Sequence, residues 1–170
     1  MIIKIKEEDL EKDNLSWLCI QPMLLSIRGR NISAKSEMYN LLNKGQQALY
    51  LFYAFHNHSN TISEFYWFTT YFMGDLKAWD GLKKGVLFFK GEELINILEH
   101  WEQVIHRKNR LADGSWREAS PSDLDRDTEL FEITESIYKK YQILARDFIE
   151  DVNEYIRNNK EDFFEIEETS

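Results

Sequence analysis

The chain of 170 residues contains one cysteine, two prolines and seven glycines. A single cysteine excludes an internal disulfide and fits a reducing compartment. Cys19 sits in the apolar run Leu15–Ser16–Trp17–Leu18–Cys19–Ile20. With no activating neighbour it reads as a small buried hydrophobe rather than a reactive thiol. So few chain breakers, beside much Leu, Glu and Lys, favour helices. No window of about 18 apolar residues free of charge or amide occurs, so no membrane span is expected. Residues 1–13 are charged and lack an apolar h-region, so no signal peptide is expected. A cytoplasmic protein follows as the expectation. Motifs for hydrolysis, nucleotide cradling and zinc are missing too: there is no G-x-S-x-G, P-loop, G-x-G-x-x-G, HExxH or Cys/His zinc spacing.

Aromatic side chains are plentiful, at 14% of residues within a hydrophobic fraction of 43%. A chain of this length reads as one domain and buries roughly 70% of its unfolded surface, so it needs no staple to fold. The net charge is −9, and it is unevenly placed. Residues 1–117 carry 14 acidic and 15 basic side chains, whereas residues 118–170 carry 16 acidic and 6 basic. A concentrated acidic surface repels nucleic acid and anionic membrane and attracts basic partners.

Ile3 and Ile5 alternate with lysines, as a short edge strand or an extended lead-in does. Apolar residues then recur every three or four positions from about Leu10 to Ile27, with Pro22 as a start or kink and Gly29 as the end. A second helix is expected from Ser33 or Ser36 to about His56, with Gly45 as a possible interruption. Thr61–Ile62–Ser63–Glu64 has the capping-box form, opening a third helix over Ile62 to Met73. That helix is apolar on nearly every side and belongs at the centre of the fold. Residues 85–91 read as a helical turn or a short extended link. A further helix spans Glu92 to Lys108. Residues 109–125 form a loop, and a long final helix runs from about Ser122 to Asn159. The resulting fold class is all-α: a single-domain bundle of five or six helices with a long C-terminal helix over 1–159, then an acidic tail over 160–170.

Two surfaces are candidates for function. Glu129, Glu132, Glu135, Asp147, Glu150, Asp151 and Glu154 lie on the last helix, mostly off its apolar stripe. They form a solvated outer face or a landing site for a basic protein, even an imitation of a phosphate row. The tail from Glu161 to Glu168 adds Phe163 and Phe164 within acid, as a docking motif or as a latch on the core. The second candidate is aromatic. Residues 50–72 hold 10 of the chain's 24 aromatics. Tyr50, Tyr53, Phe65, Trp67 and Phe68 there form the core or line a pocket between helices. Trp116 plugs one end of the bundle or anchors a partner.

Histidine chemistry is sparse. His106 shares a face with Glu102 and Glu99, but paired Glu-x-x-His units are missing, so no metal and no cofactor are expected. The basic residues Arg107, Lys108, Arg110, Lys83 and Lys84 make too narrow a patch for nucleic acid. No catalytic residues emerge.

Leu42–Asn43–Lys44–Gly45–Gln46–Gln47–Ala48–Leu49–Tyr50, followed by Ser63–Glu64–Phe65–Tyr66–Trp67–Phe68, resembles the small acidic helical family that includes the bacterial DNA-mimic protein of Neisseria-type organisms. The shared elements are a Leu-x-x-Gly-x-x-Ala-Leu-Tyr helix and an aromatic segment after it, within residues 42–100. Ile62–Ser63–Glu64 stands where that family has a glycine pair. The resemblance implies a helical fold and, for at least one member, binding to a transcription regulator through acidic side chains. The leading expectation is therefore a non-enzymatic binder of a basic protein, monomeric or homodimeric. The alternative is a small-ligand binder or enzyme with an aromatic-lined pocket.

Overall fold

The computed structural model of the protein describes residues 2–167; Glu168, the last acid expected in the tail, lies outside them with residues 169 and 170. The fold is all-α. Its helices are α1 (Leu15–Ser26), α2 (Ile32–Asn40), α3 (Lys44–His56), α4 (Ile62–Gly74), α5 (Trp79–Phe88), α6 (Glu92–Asn109), α7 (Asp123–Arg126) and α8 (Thr128–Asn158). The described residues thus hold eight helices rather than five or six. Two strands, β1 (Ile3–Ile5) and β2 (Phe164–Ile166), pair in parallel with Ile3 opposite Phe164.

The extra helices come from breaks that apolar periodicity does not mark. The helix expected over Ser33 to His56 is two helices, and the break is not at Gly45. Asn43 caps α3: its side chain accepts the Gln46 N–H at 2.9 Å, and Gln46 Oε1 accepts the Asn43 N–H at 3.2 Å. This reciprocal box satisfies two donors that a helix start leaves open. Gly45 lies inside α3, where a Cβ would come within 2.6 Å of Phe163 Cζ. The glycine is there because the tail packs on it. The last helix starts at Thr128, not Ser122. Asp127 is extended at φ −121° and accepts the Leu130 N–H at 2.9 Å, which separates α7 from α8. The first helix starts at Leu15, after a 3₁₀ turn over Glu7–Glu11, and it runs through Pro22. Gly29 follows at φ +73°, a left-handed turn that glycine adopts without strain. Residues 85–88 are helical and close on α3: a Cβ on Gly85 would sit 2.9 Å from Ala48 Cα.

α4, α6 and α8 meet in an aromatic part of the core. Phe65 stacks on Trp101 with ring centroids 5.1 Å apart and lies 5.0 Å from the Tyr141 ring. The Trp101 indole donates to Thr69 Oγ1 at 2.8 Å, so a buried polar edge is satisfied. α8 has 31 residues and spans about 46 Å. Its stripe buries Leu130, Ile137, Tyr141, Phe148, Val152 and Ile156. It also holds the N-terminal segment. Asn153 Oδ1 accepts the Ser16 N–H at 2.8 Å, and its amide donates to the Asp13 carbonyl at 2.6 Å. Arg157 donates to the carbonyls of Leu10 and Lys12 at 2.8 and 3.2 Å.

The loop before α7 is fastened from inside. The Tyr66 hydroxyl donates to Asp123 Oδ2 at 2.9 Å and accepts from Asn109 and Arg117. Burial works against the Asp123 carboxylate, yet the Ser120 N–H, Tyr66 and Arg117 hold its pKa below the ordinary value. Trp116 packs on Gly74 and His106 and so plugs this end of the bundle. No helix among the described residues is long and apolar enough to cross a membrane.

Candidate functional site

A groove of about 960 Å³ opens between α1, α2, α3, α4 and the start of α5. On α3 the positions 50, 51, 53, 54 and 57 share one helical face, and that face lines the groove. Tyr50, Tyr53 and Leu51 form a wall there, and Ala54 leaves room beside them. α1 contributes Trp17, Leu24 and Leu25, and α4 contributes Phe68 and Tyr71. The Trp17 ring lies 5.2 Å from Tyr53, whose hydroxyl is engaged by Ser16 Oγ at 2.7 Å. His58 stacks on Phe68 at 4.4 Å and donates from Nδ1 to the Ala54 carbonyl at 2.9 Å. Burial raises the pKa of the Tyr39, Tyr50 and Tyr53 hydroxyls, so this wall is uncharged at neutral pH.

α2 forms the outer wall, and none of its residues is buried. It is capped by Asn31, whose side chain accepts the Ala34 N–H at 3.0 Å. It leans on α3 through Tyr39, whose ring lies 5.8 Å from Tyr50 and whose carbonyl accepts from Gln47 at 3.1 Å. Leu25 and Ile32, exposed at 53% and 61%, stand at the mouth.

Of the five aromatics singled out from the sequence, Tyr50, Tyr53 and Phe68 line the groove. The other two do not. Phe65 is fully buried between Trp101 and Tyr141, and Trp67 points outward, 41% exposed, stacked on Tyr71 at 5.5 Å. On a helix with aromatics at four successive positions, only the angle to the neighbours separates wall from core. Trp17, Tyr39, Leu25 and Ile32 escape a sequence reading because their helices carry weak stripes.

The acidic helix face is less continuous than its composition suggests. Glu129, Glu132, Asp147, Glu150, Asp151 and Glu154 are exposed and Glu135 is half-buried. Lys108 binds Glu129 at 2.6 Å and Asp127 at 2.9 Å, Lys139 binds Glu135 at 3.2 Å, and Arg146 binds Asp147 at 3.3 Å. Glu129–Glu135 and Asp147–Glu154 are separated by Lys139, Lys140 and Arg146, over about 18 Å of helix. The acids of the last helix therefore lie in two patches along it. The tail is a latch: Phe163 and Phe164 are 1% and 3% exposed, and Asn43 donates to the Asp162 carbonyl at 2.6 Å. Both phenylalanines are thereby spent inside the fold and do not serve as an exposed docking motif.

A second, polar cavity of about 690 Å³ lies along α8, with His56, Tyr138, Gln142, Arg146, Glu150 and Asn153 among its lining. His56 Nδ1 is hydrogen-bonded to the Tyr141 hydroxyl at 2.9 Å. Burial lowers the histidine pKa and raises that of the tyrosine, so both stay neutral near pH 7. Burial also pushes the Cys19 thiol up to about 12, which leaves it inert. Among the described residues no group of three or more His, Cys, Asp or Glu side chains is placed to hold a metal ion. Compared with known protein families, curated proteins and solved structures, the chain matches none.

Proposed function

We propose that this protein is a non-enzymatic binder of a small, largely apolar molecule, taken up in the groove between α1, α2, α3 and α4. The observation that carries the reading is a concavity of about 960 Å³ walled by Trp17, Tyr39, Tyr50, Tyr53, Phe68 and Tyr71. Its outer wall, α2, buries none of its own side chains. Ligand pockets are concave, mostly apolar and of about this size. A wall with few buried contacts moves at low cost, which suits entry and exit.

The test uses a neutral fluorophore, N-phenyl-1-naphthylamine, which brightens in apolar surroundings. Wild type is expected to bind it saturably. Ala54→Trp fills the space beside Tyr50 and Tyr53 and is expected to abolish binding while the protein stays folded. Equal binding by the variant would remove the groove as the site, and no binding by wild type would remove the reading.

A second reading is favoured by one observation: Glu150, Asp151 and Glu154 lie exposed within two turns of α8 and make no ion pair among the described residues. We propose it as a patch for a basic protein, in the regulatory manner that the DNA-mimic resemblance implies. Such contacts weaken as the Debye length shrinks from about 10 Å at 0.1 M salt to about 3 Å at 1 M. Capture of a basic protein that survives high salt, or survives Glu150/Asp151/Glu154→Gln, would count against it.

A further inference from the structure

We infer that the occupant of this groove is an amphipathic anion: a free molecule with an apolar chain or ring and one carboxylate. This inference rests on the groove being a ligand site. It adds the charge of the ligand, which apolar walls alone do not specify.

The chain carries a net charge of −9, yet no Asp or Glu lines the groove, while Arg28, Lys35 and Lys77 do. The lining positions fall within residues 17–81, which hold four acidic side chains, Glu37, Glu64, Asp75 and Asp80, against five basic ones, so the bias belongs to the lining itself. Glu37 is not part of the lining and accepts a hydrogen bond from Ser33 Oγ at 3.2 Å. Of the groove-lining residues none is acidic, and the nearest carboxylates in the chain, Glu37, Asp75 and Asp80, each lie one residue outside the lining.

The three cations come from three different elements. Arg28 lies in the turn after α1, beside Gly29. Lys35 is half-buried in the middle of α2. Lys77 follows α4 on left-handed backbone at φ +50°, between Leu76 and Ala78, which both line the groove. Few residues with a side chain adopt that conformation. None of the three side chains is engaged in an ion pair or side-chain hydrogen bond among the described residues. By contrast, Lys83 on α5 and Lys108 on α6 are each bound to a carboxylate at 2.6 Å.

A long cationic side chain lays its methylene stem on apolar surface and keeps its charge at the water edge. Three such charges around a low-dielectric cleft focus a positive potential on its mouth. A molecule whose apolar body fills the aromatic interior and whose acid group stays at the rim satisfies both parts. A neutral apolar molecule uses only one of them.

The test displaces bound N-phenyl-1-naphthylamine with decanoate or decanol, which share a chain and differ in the head group. Decanoate is expected to displace the probe from wild type at roughly ten-fold lower concentration than decanol. In Arg28→Gln/Lys35→Gln/Lys77→Gln that preference is expected to vanish while the decanol curve stays in place. Equal potency on wild type, or a preference that survives the triple substitution, would overturn the anion assignment and leave the groove standing. No probe binding to wild type would overturn the groove and the assignment together. If the variant shifts the decanol curve, wild type decides: the decanoate preference must shrink between about 0.05 and about 0.5 M salt, and a constant preference overturns the assignment.

Discussion

The α6–α8 side of the molecule and the α1–α2 side are closed to different degrees. Along α6 and α8, Trp101, Ile105, Leu130 and Tyr141 are at most 1% exposed. Buried Thr69 and Thr134 each find a hydrogen-bond partner, and Asn109 donates to the Tyr66 hydroxyl while its buried Oδ1 stays unpartnered among the described residues. Lys108 clamps the start of α8 through two carboxylates. Within α2 no residue is buried, Ile32 and Leu25 face water, and the side chains of Arg28, Lys35 and Lys77 lack partners among the described residues. α1 itself is buried at Leu15, Cys19, Ile20 and Met23, so the uncovered surface belongs to α2 and the groove mouth. Low-stability elements are where ligand sites are found, because they open without unfolding the rest.

The contrast breaks most visibly at the latch. Phe163→Ala empties a site that is 1% exposed, and it is expected to cost about 3–5 kcal/mol by urea unfolding. A loss under about 1 kcal/mol would show that the tail is not part of the core. Asn153→Ala strips α1 of the group that accepts the Ser16 N–H and donates to Asp13. About 1–3 kcal/mol is expected to go with it, from buried polar groups left unpaired.

His56 sharpens the comparison through pH. Burial lowers its pKa in the folded protein. The unfolded chain therefore takes up the proton first, near the ordinary value of about 6.5. Stability contributed by the neutral ring is present above that value and falls as the pH drops toward the folded pKa. Melting temperatures at pH 7.5 and 5.5 are expected to differ less in His56→Gln than in wild type, and equal slopes would remove His56 as the cause. The smallest effect belongs to α2. Ile32→Ser, at a residue 61% exposed, is expected to change stability by no more than about 0.5 kcal/mol while weakening probe binding.

Much of the helical framework is legible in the chain. The stripe on α8 repeats at helical spacing within its 31 residues, and Thr61 caps α4 by accepting the Glu64 N–H at 3.1 Å, which is half of the capping box. The Glu64 carboxylate accepts the Asn60 N–H instead of that of Thr61. The break between α2 and α3 is not legible. Gly45 draws attention, whereas the stop is made by Asn43 and Gln46, which are common residues. The groove is half legible: Tyr50, Tyr53 and Phe68 are recovered, and Phe65 and Trp67 are misplaced. Trp67 and Phe68 are sequence neighbours about 100° apart on the helix. Composition makes both aromatic, and only the packing partners make one a wall and the other an outward face.

By itself the sequence determined the helical class, the long last helix, the uneven charge and the aromatic supply for a core. Those properties are local, carried by spacing, capping and residue type within a few turns. Tertiary structure alone decided that Phe163 closes over Gly45 and that Arg28, Lys35 and Lys77 meet around one groove. Residues 49 positions apart in the chain share that rim because helices pack side by side, and such distances are set by the whole bundle rather than by any stretch of it.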